Sequence, residues 1–157
     1  MALIPCEKVD IRFRIAGAGW EPFQELASRR SVADLFEFVG WTDDMERFLD
    51  SLNVFCLPSE KESFGLVLIE AMARGLPVIS TVTTGGRHIV QIDATGWLVP
   101  IADADALAAT LHEIASDRAE LARRGEIAYC DIIEHSSPKS SGRHLLQALE
   151  SGATELL

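Results

Sequence analysis

Between Asn53 and Ser80 the chain reads NVFCLPSEKESFGLVLIEAMARGLPVIS. A short apolar run is stopped by Pro58. A polar loop follows, then a largely apolar helical stretch from about Phe64 to Arg74, closed by Gly75. A second apolar run, PVIST, opens at Pro77. Two strands joined through a helix cannot form a hairpin; they form a parallel crossover. Parallel sheets need a layer on each face, so this one stretch already restricts the chain to an α/β architecture.

The rest of the chain repeats the alternation. VDIRFRIA (Val9–Ala16) alternates apolar and polar residues and reads as a strand ending in the turn Gly17-Ala18-Gly19. Glu21–Arg30 reads as a helix with Phe23, Leu26 and Ala27 on one face. LFEFV (35–39) is the next strand, closed by Gly40. Thr42 or Asp43 is expected to cap a helix reaching Leu52. NVFCL (53–57), PVIST (77–81) and WLVP (97–100) complete the strands. Between the last two, Gly85-Gly86 reads as a turn before a short helix over Arg87–Gln91. Asp103 is placed to cap a helix to Ser116, with Leu107, Leu111 and Ile114 inward. Arg118–Ile133 and Gly142–Leu149 read as closing helices, joined by the polar HSSPKSSG at residues 135–142. That divides the chain into a domain over 1–134 and a linker with C-terminal helix over 135–157.

Composition limits the partners. Apolar residues make up 48% of 157, enough for one core and against disorder. Fourteen basic residues face 24 acidic ones, a net charge of −10, which argues against a nucleic-acid partner. Cys6, Cys56 and Cys130 fit no zinc or disulfide spacing and read as reduced thiols, with Cys56 packing as a small hydrophobe. The start, MALIPCEKVD, does not read as a signal peptide, and no run has the ~20 apolar residues of a membrane span. A cytoplasmic location is the expectation.

In parallel sheets, ligands bind beyond the carboxyl ends of the strands. The loop after Leu57, PSEKES, lies at such an end and opens a helix at Phe64-Gly65. Helix N-termini present unpaired N–H groups and partial positive charge, which suits phosphate. Gly65 lets a ligand approach closely, and Ser63 is in place to act as the N-cap. Glu62 and Glu70 bracket this segment with seven residues between them. Glu62 is expected to point into the cleft. Glu70 sits amid LVLIEAMA, on a helix that reads as buried on most sides. It is either paired with Arg74 one turn on, or satisfied by a ligand such as a ribose diol.

These residues resemble a known family. IAGAG, FVGW, NVFCLPSEKESFGLVLIEAMARGLPVIS, TTGG and ATGWLVP are similar to the donor-binding C-terminal domain of retaining glycosyltransferases of family 4, with the GT-B fold. The resemblance implies a Rossmann-like parallel sheet and transfer of a hexosyl group from a nucleoside-diphosphate sugar, with retention, in polysaccharide or glycolipid synthesis. It implies that Glu62 faces the donor sugar as the catalytic glutamate. It implies that Ser63, Phe64, Gly65 and Leu66 meet sugar and diphosphate, that Glu70 holds the ribose, and that Gly17, Gly19, Gly85 and Gly86 lie beside the donor. No cofactor and no metal are implied; no DxD-like site stands out.

The chain also departs from that pattern. The first strand and helix, which carry a diphosphate-clamping Arg and Lys in the family, have no counterpart, since only about ten residues precede VDIRFRIA. The acceptor domain is missing too, and Arg87-His88 stands where a Glu is usual. The chain is therefore expected to be a fragment, inactive alone, whose sheet lacks its central strand and closes by rearranged pairing or against another chain, a homo-oligomer included. Membrane association would belong to the missing half. A nucleotide-sugar or carbohydrate-binding module that has kept the fold without the chemistry is the alternative reading. A phosphorylase and an NAD-binding domain fit less well, for want of a cofactor lysine region and of a complete GxGxxG fingerprint.

Overall fold

The computed structural model describes residues 11–135. At its centre is the strand Val78–Thr81 (β4), in which all four residues are buried. Alternate side chains of a strand point to opposite faces, and here each face meets its own cluster. Val78 packs with Phe48, Leu68, Ala71, Met72, Ala128 and Ile132. Ile79 packs with Trp97, Val99 and Ile114. A strand buried on both sides is what a helix-covered parallel sheet requires.

The described elements follow in the order β1 (Phe13–Ala16), α1 (Glu21–Arg29), a 3-10 turn (Ala33–Leu35), β2 (Phe36–Gly40), α2 (Met45–Asp50), β3 (Phe55–Leu57), α3 (Leu66–Met72), β4, α4 (Thr84–Ile89), β5 (Gly96–Val99), α5 (Ala104–Ser116) and α6 (Arg118–His135). β3, β4 and β5 form one parallel ladder, with Phe55 opposite Val78 and Ile79 opposite Trp97. β1 and β2 form a second parallel ladder, with Phe13 opposite Phe36 and their rings stacked at 4.7 Å. The α/β class and the helices on both faces are as expected. The sheet is not continuous, however: among the described strands no ladder joins β1 to β3. The break falls between the two strands that the expected central strand would have joined.

Side chains bridge that break. The Arg14 guanidinium donates to Ser51 Oγ, lies 5.9 Å from the Phe48 ring centre, and pairs with Glu37 at 2.7 Å. Ala16, Val39 and Leu57 pack against the larger core cluster from both ladders. A cavity of about 720 Å³ opens at the amino ends of the strands, lined by Phe13, Arg14, Ser51, Val54, Leu111 and Arg118 among others.

The helix stops and starts are mostly those the sequence marks. Gly75 has φ 74° just past α3, a conformation that favours glycine after a helix. Asp103 caps α5, accepting from the Ala106 N–H at 2.9 Å. The start of α2 differs: Asp44, not Thr42 or Asp43, is the cap, accepting from the Arg47 N–H at 2.9 Å. α6 is pinned by Arg124, 5% exposed, which donates to the Gly96 carbonyl at 2.6 Å and stacks 4.0 Å from the Trp97 ring. Cys56 is largely enclosed, and burial pushes its thiol up to about 11, in keeping with an inert packing role. Cys6, Val9 and the helix expected over 142–149 lie outside the described residues.

Candidate functional site

Two loops meet at the carboxyl ends of β3 and β4. The first, residues 58–65, connects β3 to α3. The second, residues 82–83, connects β4 to α4. The Gly85 N–H donates to the Glu62 carbonyl at 2.9 Å, and the Thr81 hydroxyl donates to the Ser59 carbonyl. Glycine makes the approach possible. A Cβ at Gly85 would lie 2.9 Å from the Phe64 carbonyl carbon and 3.0 Å from the Gly65 nitrogen. One at Gly86 would lie 2.3 Å from the Thr81 carbonyl oxygen. Gly65 itself has φ 69°, so both the close packing and the backbone conformation call for glycine there.

The Glu62 carboxylate closes this junction from within. Its Oε1 accepts from the Gly65 N–H at 2.9 Å and the Phe64 N–H at 3.1 Å. Those two bonds, Gly65 first, hold the carboxyl below the usual glutamate range. Glu62 is thus turned onto the start of α3 rather than standing free in the cleft. The cap of α3 also differs from expectation: Gly65, in the left-handed conformation, holds the N-cap position, and the exposed Ser63 makes no capping bond. A glutamate two and three residues before the N–H groups it accepts from is a self-capping arrangement. Its signal in the sequence is Glu62 standing just ahead of Phe64-Gly65.

Glu70 is exposed, which overturns the expectation of a helix buried on most sides. Leu68, Ala71 and Met72 face the core, whereas Leu66, 67% exposed, lies one turn before Glu70 on the open face. Glu70 does not pair with Arg74. That guanidinium turns away to Asp50 and, at 3.4 Å, to Glu46 of α2. The carboxylate therefore stands on the solvent side of α3, on the strip that continues through Leu66.

Gly85 and Gly86 do not form a free turn. They lie in the first turn of α4, which starts at Thr84 and is capped by the Thr83 hydroxyl accepting from the Gly86 N–H at 3.2 Å. Arg87 and His88 follow on the exposed side, with Arg87 Nε donating to the Val82 carbonyl at 3.2 Å. Gly17 and Gly19 stand in the other ladder, at the carboxyl end of β1, with φ of 121° and 76° and open space around them. The Gly17 N–H donates to the Gly40 carbonyl at 2.8 Å, tying that turn to the end of β2. The structure thus gathers Glu62, Ser63, Phe64, Gly65, Leu66, Gly85 and Gly86 at one junction. Glu70 lies one turn away and the Gly17–Gly19 turn apart from it. Among the described residues, no three His, Cys, Asp or Glu side chains are grouped to hold a metal ion.

Residues 1–130 match the family model described as Glycosyl transferases group 1. The chain is 36% identical over 104 residues to the lipopolysaccharide core biosynthesis glycosyltransferase LpsE of Rhizobium meliloti, covering 64% of this chain and 31% of that protein. It is 33% identical over 129 residues to the N-acetyl-alpha-D-glucosaminyl L-malate synthase of Bacillus anthracis, covering 81% of this chain and 34% of that one. The structure of Anabaena HepE in complex with UDP superposes with a TM-score of 0.80 at 19% identity, covering 90% of this chain and 41% of HepE. The chain thus spans about a third of the length of the curated relatives it matches.

Proposed function

This chain belongs to the group 1 glycosyl transferases, and from that premise we propose that it is the donor-binding part of a retaining enzyme. That enzyme would move a hexosyl group from a nucleoside-diphosphate sugar to an acceptor in polysaccharide or glycolipid synthesis. The observation that carries this reading is the junction of the Glu62 loop with Gly85 and Gly86, beyond the carboxyl ends of two central parallel strands.

Each side chain has a role suited to its placement. Oε1 of Glu62 takes two backbone N–H groups, which holds the carboxylate ionised and oriented and leaves Oε2 to accept from sugar hydroxyls. Ser63, Phe64, Gly65 and Leu66 line the sugar and diphosphate, with the Phe64 and Gly65 N–H groups engaged by Glu62. Glu70, exposed on α3, accepts from a vicinal ribose diol. That is a natural partner for a lone carboxylate, because two hydroxyl donors match its two oxygens. The glycine turn at Gly17–Gly19 and the close approach at Gly85–Gly86 let the donor lie against backbone. Charge on the departing diphosphate is met by backbone N–H groups and cationic side chains, without a metal. The Arg and Lys of that clamp, and the acceptor site, come from chain beyond this piece, so this piece alone performs no transfer. The location of the reaction is the cytoplasm, with any membrane association supplied by the remainder of the enzyme.

Calorimetric titration with UDP, GDP and ADP tests the reading, with Glu70→Ala as control. One nucleotide bound by the wild type and lost in the variant is the expected result, and it names the base. Transfer by a longer protein carrying this piece, insensitive to a chelator, completes the test. Binding without transfer by that longer protein would favour the binding-module alternative.

A further inference from the structure

The break between the two ladders is bordered by unpaired backbone. Among the described strands, β1 pairs only with β2, and β3 only with β4. Among the described residues no backbone hydrogen bond crosses from β1 to β3; the Arg14 side chain reaches Ser51 across the gap instead. A strand directs alternate N–H and C=O groups to its two edges, so β1 and β3 each keep one free edge. Free edges of this kind are a template for one more strand.

The cavity of about 720 Å³ lies at the same place. Its lining brings together Phe13 at the start of β1, Phe36 at the start of β2 and Val54 just before β3, so the two ladders run in the same direction. Leu111 and Ile114 of α5 and Leu121 of α6 give it an apolar wall. Arg12 and Arg118, both exposed, also line it, and neither is ion-paired with a described residue. Two carboxylates are present as well: Asp34, and Glu37, which Arg14 already holds. The uncompensated charge at this mouth is therefore positive, in a chain whose net charge is −10.

We propose that the gap is a docking slot for one extended, apolar segment of a separate polypeptide, acidic at its amino end, which pairs with β1 and β3 and joins the two ladders into one sheet. Two free edges flanking one cavity call for backbone donors and acceptors on both sides of the occupant, which a small apolar molecule does not offer. A segment of about four residues, ~13 Å long, matches the neighbouring strands. It runs between covered faces, so its residues are apolar throughout rather than alternating. Parallel to its neighbours, it enters at the cavity, where an acidic residue meets Arg12 and Arg118. The described strands of a second copy are not the source, because each is already paired in its own ladder. The slot does not depend on what the Glu62 junction binds.

The test adds a labelled synthetic peptide, paired glutamates followed by Val-Ile-Val-Leu, and follows its fluorescence anisotropy together with amide exchange in the chain. A control peptide has the same side chains but is N-methylated through its apolar run, so it lacks backbone donors. The expected result is saturable binding of the first peptide alone, with exchange slowed at Phe13–Ala16 and Phe55–Leu57. Arg118→Glu places a glutamate in the first turn of α6, which that helix end tolerates, and should lower the affinity about twofold to fivefold. Equal binding of both peptides would overturn the proposal, since strand pairing would not be involved. No saturable binding of the unmodified peptide would overturn it as well. Slow exchange at both edges in the chain alone, as monomer or dimer, would overturn it too, because this chain or a second copy would then fill the slot. An affinity unchanged in Arg118→Glu would remove the acidic end from the assignment.

Discussion

At Glu62 one carboxylate oxygen satisfies the two N–H groups at the start of α3, while the carbonyl of the same residue receives Gly85. The side chain therefore links local backbone order to the proposed sugar contact. Its pH dependence follows from the direction of its shift. The folded carboxyl titrates below its unfolded value, so its stabilisation is complete above the ordinary glutamate range. It is lost as pH falls through the lowered folded value. The difference in Tm between the wild type and Glu62→Gln should thus be constant near neutrality and shrink on acidification; a difference that grows at low pH would contradict the capping role. Gly85→Ala is a sharper probe. Its methyl group would lie 2.9 Å from the Phe64 carbonyl carbon, which is backbone and cannot swing aside. The two loops must part, at a cost of about 1–3 kcal/mol, and nucleotide binding measured by calorimetry should fall with stability. Both glutamates were legible as a motif. Their surroundings were not, because which face of α3 is covered depends on α6 and β4, and Arg74 chose partners on α2 instead of Glu70.

Among the elements, α6 shows how a helix can be specified by a few polar contacts. Glu120 accepts from Arg123 and Arg124, each at 2.7 Å, and these bonds hold its carboxyl down to about 2. Because the folded value lies below the unfolded one, this link stabilises the protein above about pH 4.5 and is lost as pH falls toward 2. Thermal melts across that window should show a shallower acid slope for Glu120→Gln than for the wild type. Further along α6, a Cβ at Gly125 would lie 2.3 Å from the Gly75 carbonyl oxygen. Gly125→Ala should therefore lift α6 off the α3–β4 connection and lower stability by about 1–3 kcal/mol in denaturant titrations. Helix identities followed from periodicity and caps, as Asp103 before α5 illustrates. Strand limits and short helices shifted: Gly85 and Gly86, which read locally as a turn, were drawn into α4 by the Thr83 cap and by packing against the Glu62 loop.

Across the whole molecule, stability is divided unevenly between the two ladders. β4 is paired on both edges and buried on both faces, whereas β1 and β2 form a ladder of two strands whose residues are only partly covered. Two-stranded pairings are marginal without support, and slow amide exchange tracks buried, doubly paired strands. Hydrogen exchange should therefore be slowest at Val78–Thr81 and clearly faster at Phe13–Ala16 and Phe36–Gly40; equal protection would mean that another strand completes the sheet in solution. The sequence by itself determined the α/β class, the parallel crossovers, the order of the elements and the motif at 58–80. Those properties depend on patterns within reach of one another along the chain: periodicity, stops and short loops. Only the tertiary structure decided that the sheet parts between β1 and β3, that Glu62 turns inward onto its own helix, and that Glu70 faces outward. Each of these outcomes depends on which distant backbone and side-chain groups become neighbours once the layers pack, and no local pattern encodes that.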